Sequence, residues 1–339
     1  MPQSPHAAPI HRPAGLRIEG TGRYLPARRL ASREIDARLG WPEGTIEARF
    51  GIRARYVAEG DETSSTMAAS AARQALKAAG LEPQDLDLIL GACGVMEQAI
   101  PSTATLVQAK LGLGRSGIAA YDVNATCLSF VQALDLAAMK IAMGKARKVL
   151  IFSADIASVG LDWAQPEVAA IFGDGAAAVV LSADGDGLLA SRFETYAEGS
   201  NACLLEGGGT RITAAIDPQA AARASYFRMD GPLAYRVAAR RMPRFLTNLL
   251  TEAGVTPQDL ACIIPHQASA QGLDHSATRL GIASDKVIQT FTELGNQIAT
   301  SIPSALHEAI TTGALKRGDL ALLIGTSAGV SLGGAVVRY

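Results

Sequence analysis

What the chain lacks narrows its class before any motif is read. No apolar run approaches the ~18 residues that would mark a transmembrane helix. No block of Lys and Arg stands out, and the formal net charge is −1. That balance argues against nucleic acid or an anionic membrane as the main partner. The pieces Lys145-Ala-Arg-Lys148 and Arg236-Val-Ala-Ala-Arg-Arg241 make only local basic patches, of a size an acidic carrier protein could use. The four cysteines (Cys93, Cys127, Cys203, Cys262) form no C-x-x-C and have no metal-like spacing to histidine. A disulfide framework and a metal site are therefore not expected. The first 13 residues hold four prolines and no apolar signal core, so residues 1–14 read as a disordered leader rather than a signal peptide. The expectation is a soluble, cytoplasmic protein with reduced thiols.

What is present is a large core and an internal duplication. Hydrophobic residues make up 48% of 339 and charged residues 19%, enough for two α/β units. The segment Ala79-Gly-Leu-Glu-Pro-Gln-Asp-Leu-Asp-Leu-Ile-Leu90 reappears as Ala253-Gly-Val-Thr-Pro-Gln-Asp-Leu-Ala-Cys-Ile-Ile264, with seven of twelve positions identical. Further echoes pair 144–152 with 315–323 and 173–180 with 332–337. Echoes in the same order indicate one duplication, not a short-period solenoid. The strands are nearly continuous apolar runs (86–90, 149–152, 176–181), as expected when helices cover both faces of a sheet. The expected architecture is α/β: two duplicated βαβαβ-type halves, 15–184 and 185–339, stacked in five αβαβα layers. The segment 198–226 has no counterpart in the first half and is expected to form a lid.

Three separated segments carry reactive side chains in apolar frames: Asp122-Val-Asn-Ala-Thr-Cys127, Ile264-Pro-His266-Gln-Ala268 and Leu294-Gly-Asn296 through Ser301-Ile-Pro303. A Cys, a His and an Asn suggest a nucleophile, a proton partner and an orienting amide. Cys127 opens an apolar helix expected over 128–143, where the helix dipole should lower its pKa and its free N–H can bind an oxyanion. Asn296 is expected in the equivalent turn of the second half, with His266 at a neighbouring strand end. Pseudo-twofold symmetry would bring all three to the carboxyl ends of strands, where open α/β sheets form their sites. The segment Gly325-Thr-Ser-Ala-Gly329 is a second candidate for presenting a backbone N–H.

The bland readings differ by residue. A buried structural thiol suits Cys93 and Cys262, which lie in apolar strands; Cys203, on the lid segment, is open. A strand-end histidine and a Gly-Asn turn are each ordinary on their own, and only the combination with Cys127 gives His266 and Asn296 chemical meaning. His6, His11, His275 and His307 read as structural or solvated. Gly173-Asp-Gly175 is too short a pattern for phosphate binding and reads as a tight turn.

Together these segments resemble the ketoacyl synthase III family of the thiolase superfamily. The resemblance runs from Leu16 to Tyr339, through Thr21–Pro26, Arg49–Arg53, Pro101-Ser102, Asp122–Cys127, Phe172–Ala176, Pro265–Ala268 and Gly295–Pro303. It implies a thiolase-like fold, a homodimer and no permanently bound cofactor. The substrates would be thioesters of coenzyme A, of a phosphopantetheine carrier such as acyl carrier protein, or both. Cys127 would take an acyl group, and His266 and Asn296 would hold a malonyl carbonyl while CO2 leaves. The resulting carbanion would attack the acyl group and give a 3-oxoacyl product. By position, the N–H groups of Cys127 and Ala328 would form the oxyanion hole. Ile100, Phe172 and Thr326 would line the substrate pocket, and Arg49, Trp41 and Gln271 would face the coenzyme A nucleotide.

The chain also departs from the family pattern. Ala328 and 329–333 stand where glycine and a Gly-Leu/Phe-Thr-Trp-Gly ending are usual, and Ile100 replaces a Phe that closes the acyl pocket of short-chain enzymes. Thr45 and Gln271 replace a Trp and an Arg linked to cofactor or carrier contact. These departures point to a longer or branched acyl group and a specialised or carrier-bound donor. Competing readings are a non-decarboxylative condensation with Glu97 as base, acyl transfer from Cys127 to an alcohol or amine, and an inactive partner subunit.

Overall fold

A computed structural model of the chain describes residues 15–269 and 283–339. The leader 1–14, Gln271 and His275 lie outside the described residues. The first part runs β1 (Arg17–Tyr24), a small excursion, α3 (Ser64–Ala79), β4 (Leu88–Gly91), α4 (Thr103–Lys110), β5 (Ala119–Asp122), α5 (Ser129–Ala142), β6 (Lys148–Asp155), α6 (Pro166–Ala169) and β7 (Gly175–Ser182). The excursion is β2 (Arg28–Ala31), α1 (Ser32–Leu39), α2 (Thr45–Phe50) and β3 (Ala54–Val57). The second part runs β8 (Leu188–Thr195), β9 (Cys203–Leu204), α7 (Pro218–Ala224), β10 (Arg228–Met229), α8 (Gly231–Ala253) and β11 (Leu260–Pro265). It ends with α9 (Phe291–Leu294), α10 (Ser301–Thr311), β12 (Leu320–Ser327) and β13 (Ser331–Arg338).

The two sheets have matching orders, β1-β7-β6-β4-β5 and β8-β13-β12-β11. Each has a parallel pair followed by two antiparallel pairings, β4 with β6, then β6 with β7 and β7 with β1; β11 with β12, then β12 with β13 and β13 with β8; the first sheet adds a second parallel pair, β4 with β5. The place of β5 is taken in the second sheet by a single parallel bridge, Ile263 to Val287. The repeated Pro-Gln-Asp has a local cause in both copies. Asp85 accepts from the Glu82 N–H at 2.9 Å and Asp259 from the Thr256 N–H at 2.8 Å, each closing a one-turn 3-10 helix before a strand.

The layers follow from where apolar side chains can go. Helices α5 and α10 lie between the sheets, and one core joins Phe130, Leu134 and Ala137 to Ile302, Leu306, Ile151 and Leu323. Helices α3 and α4 cover the outer face of the first sheet through Met67, Ala71, Ala75 and Val107. Helix α8 covers the second through Phe245, Leu249 and Leu250. The result is αβαβα. The small residues of α3 let it lie close on β1 and β7, while the capping threonine Thr63 (side chain to Thr66 N–H) and Gly80 set its ends. Segment 198–226 holds β9 and α7 and leads into β10, and Phe227 meets Phe172 edge to face at 5.3 Å.

Candidate active site

Two turns of the same construction meet at the centre. In the first, the Asn124 side-chain oxygen accepts from the Thr126 N–H at 2.8 Å, and the Ser129 hydroxyl accepts from the Ala125 N–H at 2.9 Å. In the second, Asn296 Oδ1 accepts from the Ile298 N–H at 2.9 Å, and Ser301 Oγ from the Gln297 N–H at 3.1 Å. Both turns put a non-glycine residue in the left-handed region, Thr126 at φ 50° and Ile298 at φ 52°. Such a backbone costs on the order of 1 kcal/mol and persists where its surroundings hold it. Each turn continues as a 3-10 turn (Thr126–Leu128; Ile298–Thr300) into α5 or α10. The apolar helix expected from Leu128 therefore begins one residue later, at Ser129. Within the matched turns, Asn296 corresponds to Asn124, and Cys127 corresponds to Ala299.

The Cys127 turn touches both the Asn296 turn and β12. The N–H groups of Cys127 itself and of Ala328, just past β12, both act to lower the Cys127 thiol. The residue keeps some exposed surface, but the sulfur is enclosed by protein. The thiol acidified by the helix start is not what the structure shows. Burial first, then the charges of Asp155 and Cys203, push it up to about 12, and the two N–H groups only partly offset this. A helix end supplies about half a charge, less than the penalty for an anion without water.

His266 follows β11, donates its backbone N–H to Ile324 O at 2.8 Å, and is buried. Gly325 lies behind it: a Cβ there would stand 2.7 Å from His266 Cβ and 3.3 Å from a Leu128 methyl, so the strand must be bare at that point. Burial lowers the His266 imidazole to about 4, which leaves it neutral near pH 7. Nδ1 is enclosed without a partner among the described residues, so Nε2 is the nitrogen left to act. Asn296 is held by its backbone, N–H to Ile171 O at 2.7 Å and C=O from the Gly173 N–H at 3.1 Å. With Oδ1 occupied by Ile298, its NH2 is the end left to donate.

The other candidates fall in two places. Phe172 is buried and bridges Asn296, and Thr326 lies on β12, one residue from Gly325. Arg49 and Trp41 lie together on the α1–α2 excursion, the guanidinium 5.0 Å from the ring and also paired with Glu167 at 3.1 Å. Thr45 spends its hydroxyl on Pro42 O at 2.6 Å. Ile100 is 86% exposed on this single chain, away from the enclosed core. Gly173-Asp-Gly175 is a tight packing turn: Asp174 is buried and accepts from Ala58 and Ser158, with no opening for a phosphate. Among the described residues no group of His, Cys, Asp and Glu is arranged to hold a metal.

Residues 121–199 match the family described as 3-oxoacyl-[acyl-carrier-protein] synthase III, and 250–339 match its C-terminal region. Residues 49–154 match the thiolase N-terminal domain. The β-ketoacyl-[acyl-carrier-protein] synthase III of Aquifex aeolicus is 39% identical over 327 residues, covering 96% of this chain and 100% of that protein. The chain belongs to the β-ketoacyl-acyl carrier protein synthase III family. The synthase III of Neisseria meningitidis is 37% identical, over 95% of this chain and 99% of that protein. Among solved structures, the priming β-ketosynthase of the R1128 polyketide pathway superposes with a TM-score of 0.88 at 29% identity, covering 98% of each chain. The thiolase-like fold expected from the sequence is the fold of this synthase III chain.

One residue of the site escaped the sequence reading. Asp155 ends β6, is fully buried, and lies close enough to raise the Cys127 thiol. Its signal was a lone carboxylate at the carboxyl end of an apolar strand, the place where such sheets build sites.

Proposed function

We propose that this chain is an acyl-thioester condensing enzyme that makes a 3-oxoacyl thioester with loss of CO2. The observation that supports it most is that two neutral donors, His266 Nε2 and the Asn296 NH2, have no protein partner among the described residues, beside a cysteine whose thiol is favoured as an anion by the N–H groups of Cys127 and Ala328. In the first step Cys127 Sγ bonds to the acyl carbonyl carbon, the carrier's C–S bond breaks, and the thiol proton leaves with the carrier sulfur. In the second, the malonyl C–CO2 bond breaks, and its electron pair moves onto the thioester carbonyl, where His266 and Asn296 donate to the enolate oxygen. The carbanion then attacks the acyl-Cys127 carbonyl. The oxyanion takes the N–H groups of Cys127 and Ala328, and collapse expels a thiolate that regains a proton from water. Preorganised donors of this kind act where charge develops.

The competing readings have less support. Glu97 accepts from the Ser65 N–H at 2.6 Å at the start of α3, so its carboxylate is held as a helix cap rather than as a base for a non-decarboxylative condensation. Acyl transfer to an alcohol, and an inert subunit, would leave the His266 and Asn296 donors without a task. The test is intact mass after incubation with acyl-CoAs of graded length, then with malonyl-CoA or malonyl carrier. An adduct on Cys127 that clears only with a malonyl donor, with release of CO2, supports the reading; an adduct that ignores malonyl sinks it.

Two partners go with this reading. The edge strand β5 and the exposed Ile100, Met139 and Met143 fit a second copy of the chain, which would cover an open sheet edge. Sedimentation at micromolar concentration would show a monomer if that is wrong. Helix α8 carries Arg236, Arg240 and Arg244, none of which has an acidic partner among the described residues. A groove of about 220 Å³ between Glu198, Leu233, Arg236, Val237 and Arg240 lies on the same face. An acidic carrier protein fits this surface. Arg236→Glu with Arg240→Glu should raise KM for carrier-bound substrate and leave KM for the coenzyme A thioester unchanged; equal effects on both would overturn the docking assignment. Segments 15–184 and 185–339 are taken as the two halves on which these roles are divided, Cys127 in the first and His266 and Asn296 in the second. Cytoplasmic location is part of the same reading; no helix among the described residues is long and apolar enough to cross a membrane.

A further inference from the structure

The Asp155 carboxylate takes no part in the steps above, yet four donors converge on it from two segments. Oδ1 accepts the N–H groups of Gly94 (2.7 Å) and Val95 (3.1 Å), and Oδ2 accepts both the N–H and the hydroxyl of Thr300 (3.1 Å each). Gly94 is also where Ile298 presses: a Cβ there would come 2.3 Å from an Ile298 methyl. Ile298 in turn gives the N–H that holds Asn296 Oδ1. The loop before Gly94 approaches the other turn as well: the Ser129 hydroxyl, which accepts from the Ala125 N–H, has Thr126 O at 2.7 Å and Cys93 O at 3.1 Å as the two acceptors for its proton. We propose that Asp155 is the positioning residue of the decarboxylation step: it ties the 94–95 loop to Thr300 and so holds the Asn296 turn with its NH2, not its oxygen, toward the substrate. This rests on the synthase reading above.

A carboxylate suits the role where an amide does not, since all four contacts are donors and an NH2 would oppose two of them. Burial pushes Asp155 up to about 6, and the four hydrogen bonds work against that. Among the described residues, the titratable groups on which it acts are Cys93 on the 94–95 side and Cys127 on its turn, and residues 296–300 of the Asn296 turn carry none. Both thiols are pushed upward by burial, and His266 stays neutral down to about 4. Near pH 6, Asp155 alone of these changes charge.

The experiment splits the reaction with the full-length protein, Cys127 acylation by intact mass and CO2 release from malonyl-CoA. In Asp155→Asn, CO2 release should fall by about tenfold or more, as small misplacements of a donor do, while acylation stays within about threefold. Wild-type CO2 release should fall as pH drops through about 6, and Asp155→Asn should lack that limb. Equal loss in both half-reactions, no loss in either, or a limb that persists in the variant would overturn the inference. Should Asp155→Asn fail to fold, Thr300→Val removes one donor to Oδ2 and keeps the backbone bond; it should lower CO2 release relative to acylation, and an unchanged ratio overturns the proposal. A wild-type protein that neither takes an acyl group nor releases CO2 would refute the synthase reading itself, before any variant is compared.

Discussion

Asn124 and Asn296 make the same bond in the two halves of the chain, each side-chain oxygen accepting from the N–H two residues on, at 2.8 and 2.9 Å. The duplication was thus divided in use. One copy of the turn kept its asparagine as a brace and gained Cys127 three residues later; in the other, the brace itself offers its NH2, and Ala299 stands at the cysteine's place. A repeated fold supplied two similar turns, and on the reading proposed above different side chains on them supply nucleophile and donor.

That division predicts separable half-reactions. Cys127→Ala should take no acyl group and still release CO2 from malonyl-CoA. His266→Ala and Asn296→Ala should acylate normally and lose CO2 release by about 10²–10³-fold each, the usual effect of removing one donor at developing charge. Parallel assays of the two half-reactions check this, and loss of acylation in Asn296→Ala would contradict it.

A thiol held up to about 12 reacts through a small thiolate fraction. Alkylation of Cys127 by iodoacetamide should therefore rise about tenfold per pH unit from 7 to 10 without levelling. A plateau below pH 9 would show a thiol far more acidic than this burial allows.

The lowered His266 value, about 4 against 6.5, has a stability consequence. The unfolded chain takes up the proton first, so the contribution is intact above pH 6.5 and is lost as pH falls through about 4. Its size is about 3 kcal/mol. Asp155, raised from 3.8 to about 6, has the opposite sign: its contribution is intact below 3.8 and lost as pH rises through about 6. His266→Gln should keep the Asp155 effect and drop the histidine's, so its urea midpoint should gain on wild type between pH 7 and pH 4.5. A constant difference across that range would refute the assignment.

Gly325→Ala would set a methyl 2.7 Å from His266 Cβ. The strand and the histidine cannot both keep their places, so a loss of about 1–3 kcal/mol is expected, with CO2 release falling more than acylation. Thermal unfolding and the two assays would show it.

Ile100 is expected at the acyl end of the pocket, completed by a second copy of the chain. Ile100→Phe should shorten the longest acyl group that Cys127 accepts without changing stability, since the residue is exposed on one chain. An unchanged chain-length profile, read by intact mass, would remove Ile100 from the pocket.

Much of this was legible in the amino-acid order. The repeated Ala-Gly-x-x-Pro-Gln-Asp-Leu marked the duplication because capping turns and buried parallel strands are local and periodic demands. Cys127, His266 and Asn296 stood out because each sits where an apolar run stops. Asp155 did not, since its meaning lies in four donors, two of them from Thr300 in the other half, which no spacing reveals. The acidity of Cys127 was misread for a related reason. Sequence shows the helix that a thiol begins, but how much water and which charges surround it is decided by packing. What the sequence determined is therefore the layered α/β fold and which reactive groups to propose; the tertiary structure decided their protonation and which ends of Asn296 and His266 lack a partner among the described residues, because those depend on neighbours brought from the other half of the chain.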